Sequence, residues 1–254
     1  MVAVGLLSAK GSPGCTTTAL ALSHVWAQVA PHRQLLLAEC DVAGGDIALG
    51  YLCGTRSDRG VLGVASSRAS DAATAVWEQV LALDEEGRRL LLLGITDFRH
   101  AERAEAAGEV LATAITELAQ RHVDVLLDLG RIGSIDPSLS LWRSADFLVL
   151  VTRSSLSAVA AAQAAAERLR EADVGDRVRC LVIGERMPYS AEEISQALDL
   201  PLLGVLPHDP RDGAGFLAGK PGFSPRSKSA LLRACAKVAA ELTSATQPSG
   251  AVHV

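Results

Sequence analysis

The sequence lacks any apolar run long enough to cross a bilayer. The longest runs, such as residues 35–37 and 147–151, fall far short of the roughly 20 residues that a transmembrane helix needs. The amino-terminal residues 1–8 lack the cationic stretch and cleavage site of a secretory signal and have the pattern of a buried strand. We therefore expect no membrane span, no export and a cytoplasmic location.

Cysteine is scarce and positive charge is not in excess. The 254 residues include five cysteines, at positions 15, 40, 53, 180 and 235, with no C-x-x-C pair. This spacing indicates neither a disulfide framework nor a zinc site, and the histidines show no metal-ligand spacing. The net charge of −5 argues against a surface that is basic throughout and built to hold nucleic acid.

What the sequence does have is an alternation of short apolar runs with longer Ala-rich segments of helical spacing. Seven runs are continuously apolar, as strands buried on both faces require. These runs are residues 2–7, 34–38, 89–93, 123–127, 147–152, 179–183 and 202–206. The helical segments are residues 16–30, 102–121, 155–172, 191–198 and 227–242.

This alternation predicts an α/β fold, with a doubly wound, mostly parallel sheet of seven or eight strands and helices on both faces. The length and the apolar content of 49% predict one domain over residues 1–243. Residues 244–254 are expected to form a disordered tail. Gly, Asp and Pro cluster mainly where strands end, which is where open α/β sheets bind ligands.

Residues 8–17 join the first strand to the first helix and read SAKGSPGCTT, the composition of a phosphate-binding loop. Gly11 and Gly14 let the backbone turn and approach a ligand closely. The amides and the dipole at the start of the helix favour an anion, and the Thr16 hydroxyl can hold a magnesium ion. The alternative is a Gly/Pro turn that binds nothing.

The loop resembles the deviant Walker A sequence K-G-G-x-G-K-[ST] of the ParA/MinD family of P-loop ATPases. The matching residues are Lys10, Gly11, Gly14 and Thr16. Ser12 stands where the family has a glycine, and Cys15 stands where it has the lysine that touches the β- and γ-phosphates. Because an ammonium neutralises charge that backbone dipoles offset only in part, its loss predicts slow or absent hydrolysis. Nucleotide binding can survive through the amides and the magnesium ion.

Further segments resemble the family's motifs, in the same order, across about residues 1–242. Residues 39–41, Glu-Cys-Asp, resemble the family's D-x-D, and residues 123–130 resemble its Walker B strand. Residues 203–210 and 218–221 resemble its late G-x-[IL]-P-x-D turn and G-x-P sequence. Gly184 stands where the family has an asparagine that reads the base, so base selectivity stays open.

The resemblance implies a site for ATP and Mg²⁺. The implied nucleotide-binding residues are Lys10, Gly11, Ser12, Pro13, Gly14, Cys15, Thr16, Thr17, Pro207 and Asp209. The implied metal-binding residues are Thr16, Asp41 and Asp128. Lys10 and Asp41 are implied to be catalytic, with Lys10 reaching the partner's nucleotide across a homodimer and Asp41 orienting the attacking water. Cys15 can alternatively be a reactive thiol at a helix N-terminus, although no histidine base lies beside it in sequence.

The resemblance implies a bacterial, dimeric positioning or assembly factor that recruits a protein partner when ATP is bound. Its irregular loop fits best with the family's pilus-assembly branch, which is TadZ/CpaE-like. The alternative is a pseudo-ATPase scaffold that dimerises and docks partners without hydrolysis. A third possibility, an ATP-dependent ligase of the same superfamily, lacks a second substrate constellation in this sequence.

Five basic residues near the carboxyl end can hold DNA phosphates without reading the sequence. They are Lys220, Arg226, Lys228, Arg233 and Lys237. The alternative is an ordinary solvated helix face, since no aromatic residues are interleaved for base stacking. Residues 247–254 contain Pro and Gly and no Lys or Arg, so we expect no autonomous membrane anchor of the amphipathic-helix type.

Overall fold

The computed structural model describes residues 1–10, 14–55, 57–68, 70–132, 139–218 and 229–245. In this part of the chain eight strands form one sheet, in the order β3-β4-β2-β5-β1-β6-β7-β8. Neighbouring strands are parallel except for β3, which runs antiparallel to β4. The strands are β1 (Ala3–Ser8), β2 (Gln34–Glu39), β3 (Leu81–Ala82), β4 (Arg89–Leu92), β5 (Val123–Arg131), β6 (Phe147–Arg153), β7 (Val178–Ile183) and β8 (Leu202–Leu206).

Helices cover both faces of this sheet. They are α1 (Cys15–Val29), α2 (Val61–Val64), α3 (Ala72–Trp77), α4 (Ala101–Gln120), α5 (Leu139–Ser144), α6 (Leu156–Glu171), α7 (Ala191–Leu198), α8 (Pro210–Leu217) and α9 (Ala230–Ser244), with 3₁₀ turns at Phe98–His100 and Gly175–Arg177. None of the helices described here combines the length and the apolar character needed to cross a membrane.

Alternate residues of each strand enter two different cores. On β1, Leu6 packs into the core beneath α1 and α9, whereas Leu7 packs into the core beneath α4 and α6. Both side chains are fully buried. This arrangement is why the strands read as continuous apolar runs rather than as alternating ones, and it confirms the predicted α/β class.

All seven predicted strands and all five predicted helices are present; β8 and α7 have the predicted ends, and the ends of the other elements are shifted. The helix expected at residues 227–242 is α9, which begins after Ser229, whose hydroxyl accepts the Leu232 amide at 3.1 Å. Residues 227–228, and 246–254 of the expected tail, lie outside the described residues. The single domain over residues 1–243 and the disordered tail therefore stay predictions.

The sequence did not predict five short elements, which are α2, α3, β3, α5 and α8. Of these, α2 has four residues and β3 has two, which is too short for a hydrophobic period to be recognised. Helices of this length are not stable alone, so their formation depends on tertiary contacts that local sequence does not encode.

A buried carboxylate fixes the edge of the sheet where β1 and β5 begin. Asp124 on β5 is fully buried and accepts hydrogen bonds from the Val2 amide at 2.8 Å and from the Trp26 indole at 2.9 Å. The Arg33 guanidinium lies 3.3 Å away and balances its charge. This one side chain therefore links β1, α1 and β5 at the edge opposite the strand ends from which α1 leaves.

We expect Asp124→Ala to lower the free energy of unfolding by about 3 kcal/mol, because two buried donors lose their acceptor and a charge pair is broken. Urea denaturation followed by circular dichroism measures the change. Asp176→Ala removes an exposed carboxylate and should stay within about 0.5 kcal/mol of the wild type. Equal losses in the two variants would contradict the structural role of Asp124.

Candidate functional site

The carboxyl ends of β1, β2 and β5 surround a cavity of about 230 Å³ at one edge of the sheet. The start of α1, the loop after β2 and Leu217 at the end of α8 complete its lining. Since β1 lies between β5 and β6, the residues that leave these strands meet at a single place. This is the edge at which doubly wound sheets bind ligands.

The amino terminus of α1 is open toward this cavity. Gly14 caps the helix with φ 113° and ψ 33°, a left-handed conformation that favours glycine, and its carbonyl accepts the Thr18 amide at 2.8 Å. Cys15, Thr16 and Thr17 form the first turn and line the cavity. Gly14 has no side chain to cap the helix, and no acidic residue lies in the first turn of α1. The amides of this turn and the helix dipole can therefore bind an anion.

The structure describes the predicted loop only in part. Gly11, Ser12 and Pro13 lie outside the described residues. Lys10 is described and exposed, but its side chain does not line the cavity. Its role across a dimer therefore stays a prediction.

Cys15 is buried and carries no charge. Burial raises the pKa of its thiol, the negative charges of Asp128 and Asp41 raise it further, and a hydrogen bond with Ser8 opposes the shift. A thiol that resists ionisation is neither a cation for phosphates nor a nucleophile. The alternative of a reactive Cys15 thiol is therefore disfavoured.

Asp128 lies fully buried behind Thr16. Burial raises the pKa of its carboxyl to about 6, and the Thr16 hydroxyl and the Gly130 amide work against that shift. The Gly130 amide donates to Oδ1 at 3.3 Å, while Oδ2 has no hydrogen-bond partner among the described residues. A buried carboxylate oxygen without a donor suits a magnesium ion or its bound water.

Protein side chains alone do not form a metal cage here. No group of three or more His, Cys, Asp or Glu side chains among the described residues can hold a metal ion. Magnesium usually keeps several waters and takes few protein ligands together with substrate phosphates. Thr16 and Asp128 therefore fit a magnesium ion that arrives with a nucleotide.

Asp41 follows β2 and faces the cavity. Its Oδ1 accepts the Ala43 amide at 2.8 Å. Burial raises the pKa of its carboxyl and Asp46 adds to the rise, whereas the Ala43 amide and the charge of Arg131 lower it. Gly130 has φ 67°, and a Cβ at that position would collide with the Asp41 carboxyl. A glycine at 130 is thus what lets Asp41 lie beside the end of β5.

Glu39 is a site residue that the sequence reading assigned no role. Its carboxyl is 1% exposed, and its two oxygens accept the Ile47 amide at 2.9 Å and the Gly94 amide at 3.0 Å. Burial raises its pKa to about 7. Glu39 therefore ties the loop that carries Asp41 to the loop after β4. The position of Glu39 in the D-x-D-like triplet is the sequence feature that could have indicated a role in the site.

A second cavity, of about 290 Å³, adjoins the first and shares Gly14 and Thr17 with it. Pro207 and Asp209 line this second cavity, so the structure brings them to the same edge as the loop. Asp209 also caps α8, because its Oδ1 accepts the amides of residues 211 and 212 at 3.1 and 3.0 Å. Gly184 has φ 75° and lies against His208.

A larger cavity, of about 690 Å³, lies between the loops that follow β2 and β4. It is lined in part by Asp58, Arg59 and His100 but not by α1, Asp41 or Asp128. Size alone does not mark a site, so we place the candidate site at the two smaller cavities, where a helix terminus and carboxylates converge.

Comparison with known proteins identifies the architecture. No model of a known protein family matches the chain, and no curated protein matches it. The Mg-ADP complex of MinD from Pyrococcus horikoshii OT3 is 22% identical, with a TM-score of 0.70 and 94% of each chain covered. A ParA family ATPase from Chlorobium tepidum TLS is 18% identical, with a TM-score of 0.77 over 94% of this chain and 97% of that one. The chain has the MinD/ParA fold.

A third structure, the MinC:MinD cell division protein complex from Aquifex aeolicus, is 18% identical, with a TM-score of 0.72 and 99% of each chain covered. Coverage this complete means that the MinD/ParA fold accounts for nearly the whole chain. The doubly wound α/β fold predicted from the sequence is thereby confirmed. At such identities the activity has to be argued from the site itself.

Within this MinD/ParA fold, the basic residues near the carboxyl end are described only in part. Arg233 and Lys237 on α9 line a groove beside β8, and Glu241 lines the same groove. Lys220, Arg226 and Lys228 lie outside the described residues. Contact with DNA through these five residues stays a prediction.

We expect Cys53 to be the cysteine that reacts fastest with a thiol reagent such as dithionitrobenzoate. Cys53 is exposed, whereas Cys15, Cys180 and Cys235 are buried and burial raises their thiol pKa values. Absorbance during labelling of the native protein should show one fast equivalent that Cys53→Ser removes. Loss of the fast phase in Cys15→Ser instead would restore the reactive-thiol alternative.

We expect Glu39 to make stability depend on pH. Burial raises its pKa from 4.5 to about 7, so its contribution is fully present below about pH 4.5 and is lost as the pH rises to 7. The loss is about 3 kcal/mol by the linkage relation. Urea denaturation from pH 4.5 to 7.5 in EDTA measures it. In Glu39→Gln the decline across this window should shrink, while an unchanged decline would contradict the shift.

Proposed function

We propose that this chain is a ParA/MinD-like positioning or assembly factor that binds ATP with Mg²⁺, dimerises and docks protein partners, with weak or absent hydrolysis. The observation that supports it best is the open first turn of α1, with Thr16 in the cavity and a buried, unpaired Asp128 oxygen behind it. If this turn bound no ligand, the buried oxygen would stay without a partner, and its burial would cost free energy.

The phosphates would lie against the amides of Cys15, Thr16 and Thr17, where the helix dipole favours an anion. Thr16 and Asp128 would hold the magnesium ion, Asp128 through a water. Bound there, magnesium neutralises phosphate charge. The base would extend toward the second cavity, which Pro207 and Asp209 line.

Hydrolysis is the weak part of this site. Asp41 lies where it can orient a water, and its raised pKa brings it closer to proton transfer near neutral pH. Position 15 supplies a neutral thiol in place of an ammonium, so charge that develops on the phosphates loses its usual partner. Lys10 is exposed and free of this cavity, which suits a role in the partner's site of a homodimer.

The similar structures support nucleotide and partner binding by analogy. One neighbour was solved as MinD with Mg-ADP, and another as a MinC:MinD complex. By this analogy the chain would act on a protein partner, and the location proposed from the sequence is the bacterial cytoplasm. The irregular loop favours the TadZ/CpaE-like pilus-assembly branch.

A second candidate is a scaffold that uses the fold only to dimerise and dock partners. Two observations favour it: Cys15 is buried and uncharged, and Gly184 offers no side chain to read a base. The two candidates differ in whether nucleotide changes the oligomeric state. A ligand shifts an equilibrium only when it binds one state more tightly.

We expect ATP with Mg²⁺ to bind and to move the protein from monomer toward dimer. Calorimetry and analytical ultracentrifugation at up to millimolar ATP measure both. Thr16→Ala should weaken binding about tenfold with Mg²⁺ and less in EDTA, because it removes a metal ligand. Thr113→Ala, an exposed threonine on α4, is the matched control and should bind normally.

Three results separate the possibilities. Binding without a change in oligomeric state would contradict the switch. No binding at millimolar ATP would favour the scaffold. ATPase activity that appears only in Cys15→Lys would show that position 15 alone limits hydrolysis.

A further inference from the structure

The cavity proposed to bind phosphates is lined by more acidic than basic side chains, which disfavours an anionic ligand. Two of its lining residues, Asp41 and Asp46, are carboxylates. Among the described lining residues, Arg131 is the only basic one. Neither the Cys15 thiol nor the Lys10 side chain supplies positive charge inside the cavity. Within this cavity, as far as the structure describes its lining, a bound polyphosphate would therefore meet one protein cation, while Arg153 lines the adjoining cavity.

The backbone of Arg131 is held in place by the sheet. It is the last residue of β5 and pairs with Ser8, the residue that leads β1 into the phosphate loop. The Ile132 amide, one residue further along, donates to the Ser8 carbonyl at 2.8 Å. The pairing is irregular between Leu6 and Ser8, and Gly130 before it is left-handed. These features turn the chain so that an exposed Arg131 lines the cavity rather than the core.

We propose that Arg131 is the phosphate-binding cation of this site and replaces the ammonium that position 15 lacks. The proposal rests on the proposed function, since it needs a nucleotide in the cavity. The cation would thus be supplied by Arg131 at the end of β5, the strand beside β1, and not by position 15 on α1. A guanidinium is suited to this because its planar fork can donate two hydrogen bonds to one phosphate, which an ammonium cannot match in geometry.

The charge of Arg131 affects another residue of the cavity even without a ligand. It lowers the pKa of Asp41, which burial and Asp46 raise. Arg131 and Asp41 line the same cavity, so a phosphate bound there would lie near both side chains. The same proximity keeps Asp41 from becoming an isolated buried charge.

The test compares Arg131→Gln with Arg88→Gln by calorimetry with ATP and with AMP. Arg88 precedes β4 at the opposite edge of the sheet, so its variant removes the same charge far from the cavity. Charge-assisted bonds to phosphate predict that Arg131→Gln weakens ATP about 10- to 100-fold and AMP less, whereas Arg88→Gln leaves both unchanged. The protein is kept below the concentration at which it dimerises, so that Lys10 of a second copy cannot contribute.

Two further variants keep the test independent of folding. Arg131→Lys keeps the charge but loses the planar fork, and its ATP affinity should fall between those of the wild type and Arg131→Gln. Adding Cys15→Lys to Arg131→Gln should restore part of the lost affinity, since an ammonium then returns to the helix. Thermal melting of each variant without nucleotide should match the wild type.

The outcomes separate this inference from the proposed function. If the wild type binds ATP and Arg131→Gln binds it within threefold, Arg131 is not the phosphate cation and the proposed function stands. If the wild type binds no ATP, both fall. Equal losses of AMP and ATP in Arg131→Gln would also overturn the inference, because they would indicate general damage to the site.

Discussion

The left-handed turn at Gly14 is the constraint on which the site depends. It takes the chain from the end of β1 into α1, and so aims the first amides of the helix at the place where β1, β2 and β5 end. Only because β5 lies directly beside β1 does Asp128 come to lie behind Thr16. A helix terminus that favours anions and a buried carboxylate are thus held together by sheet order, and on the proposed function a magnesium ion would reconcile their opposite preferences.

Among the residues that the structure describes, the lining of the phosphate cavity has two carboxylates, Asp41 and Asp46, and one basic side chain, Arg131. Burial raises the carboxyl pKa values of Glu39, Asp41 and Asp128, and each is raised further by at least one of its acidic neighbours. A lysine at position 15 would offset this, and the buried Cys15 thiol does not. Without that lysine, a nucleotide bound here would depend on cations from outside the helix, which on our proposals are Mg²⁺ and Arg131. This imbalance favours binding of a magnesium-nucleotide complex over the bare nucleotide.

The sequence predicted the features that depend on local pattern. Continuous apolar runs identified seven strands, because both faces of the sheet are covered, and the Gly-rich loop identified the start of α1. The roles of Glu39, Gly130 and Arg131 could not be predicted, because each depends on a neighbour far away in sequence. Glu39 binds the Gly94 amide, Gly130 makes room for Asp41, and Arg131 pairs with Ser8. Such contacts exist only once the strand order is known, and one sequence does not state that order.

A nucleotide switch without hydrolysis needs another way to reset. Where ATP is not cleaved, the dimer lasts as long as the nucleotide stays bound, and a ligand shifts the dimer equilibrium only by its differential affinity for the two states. On the proposed function, Cys15 in place of a Walker A lysine would lower both the hydrolysis rate and the affinity, since the same ammonium would serve both. Weaker affinity shortens the time that nucleotide stays bound, because such changes act mainly on dissociation. On the proposed function, Cys15 would therefore prevent the dimer from being reset by hydrolysis but would let it be reset by nucleotide dissociation. The lifetime of the dimer would then depend on the nucleotide concentration in the cell.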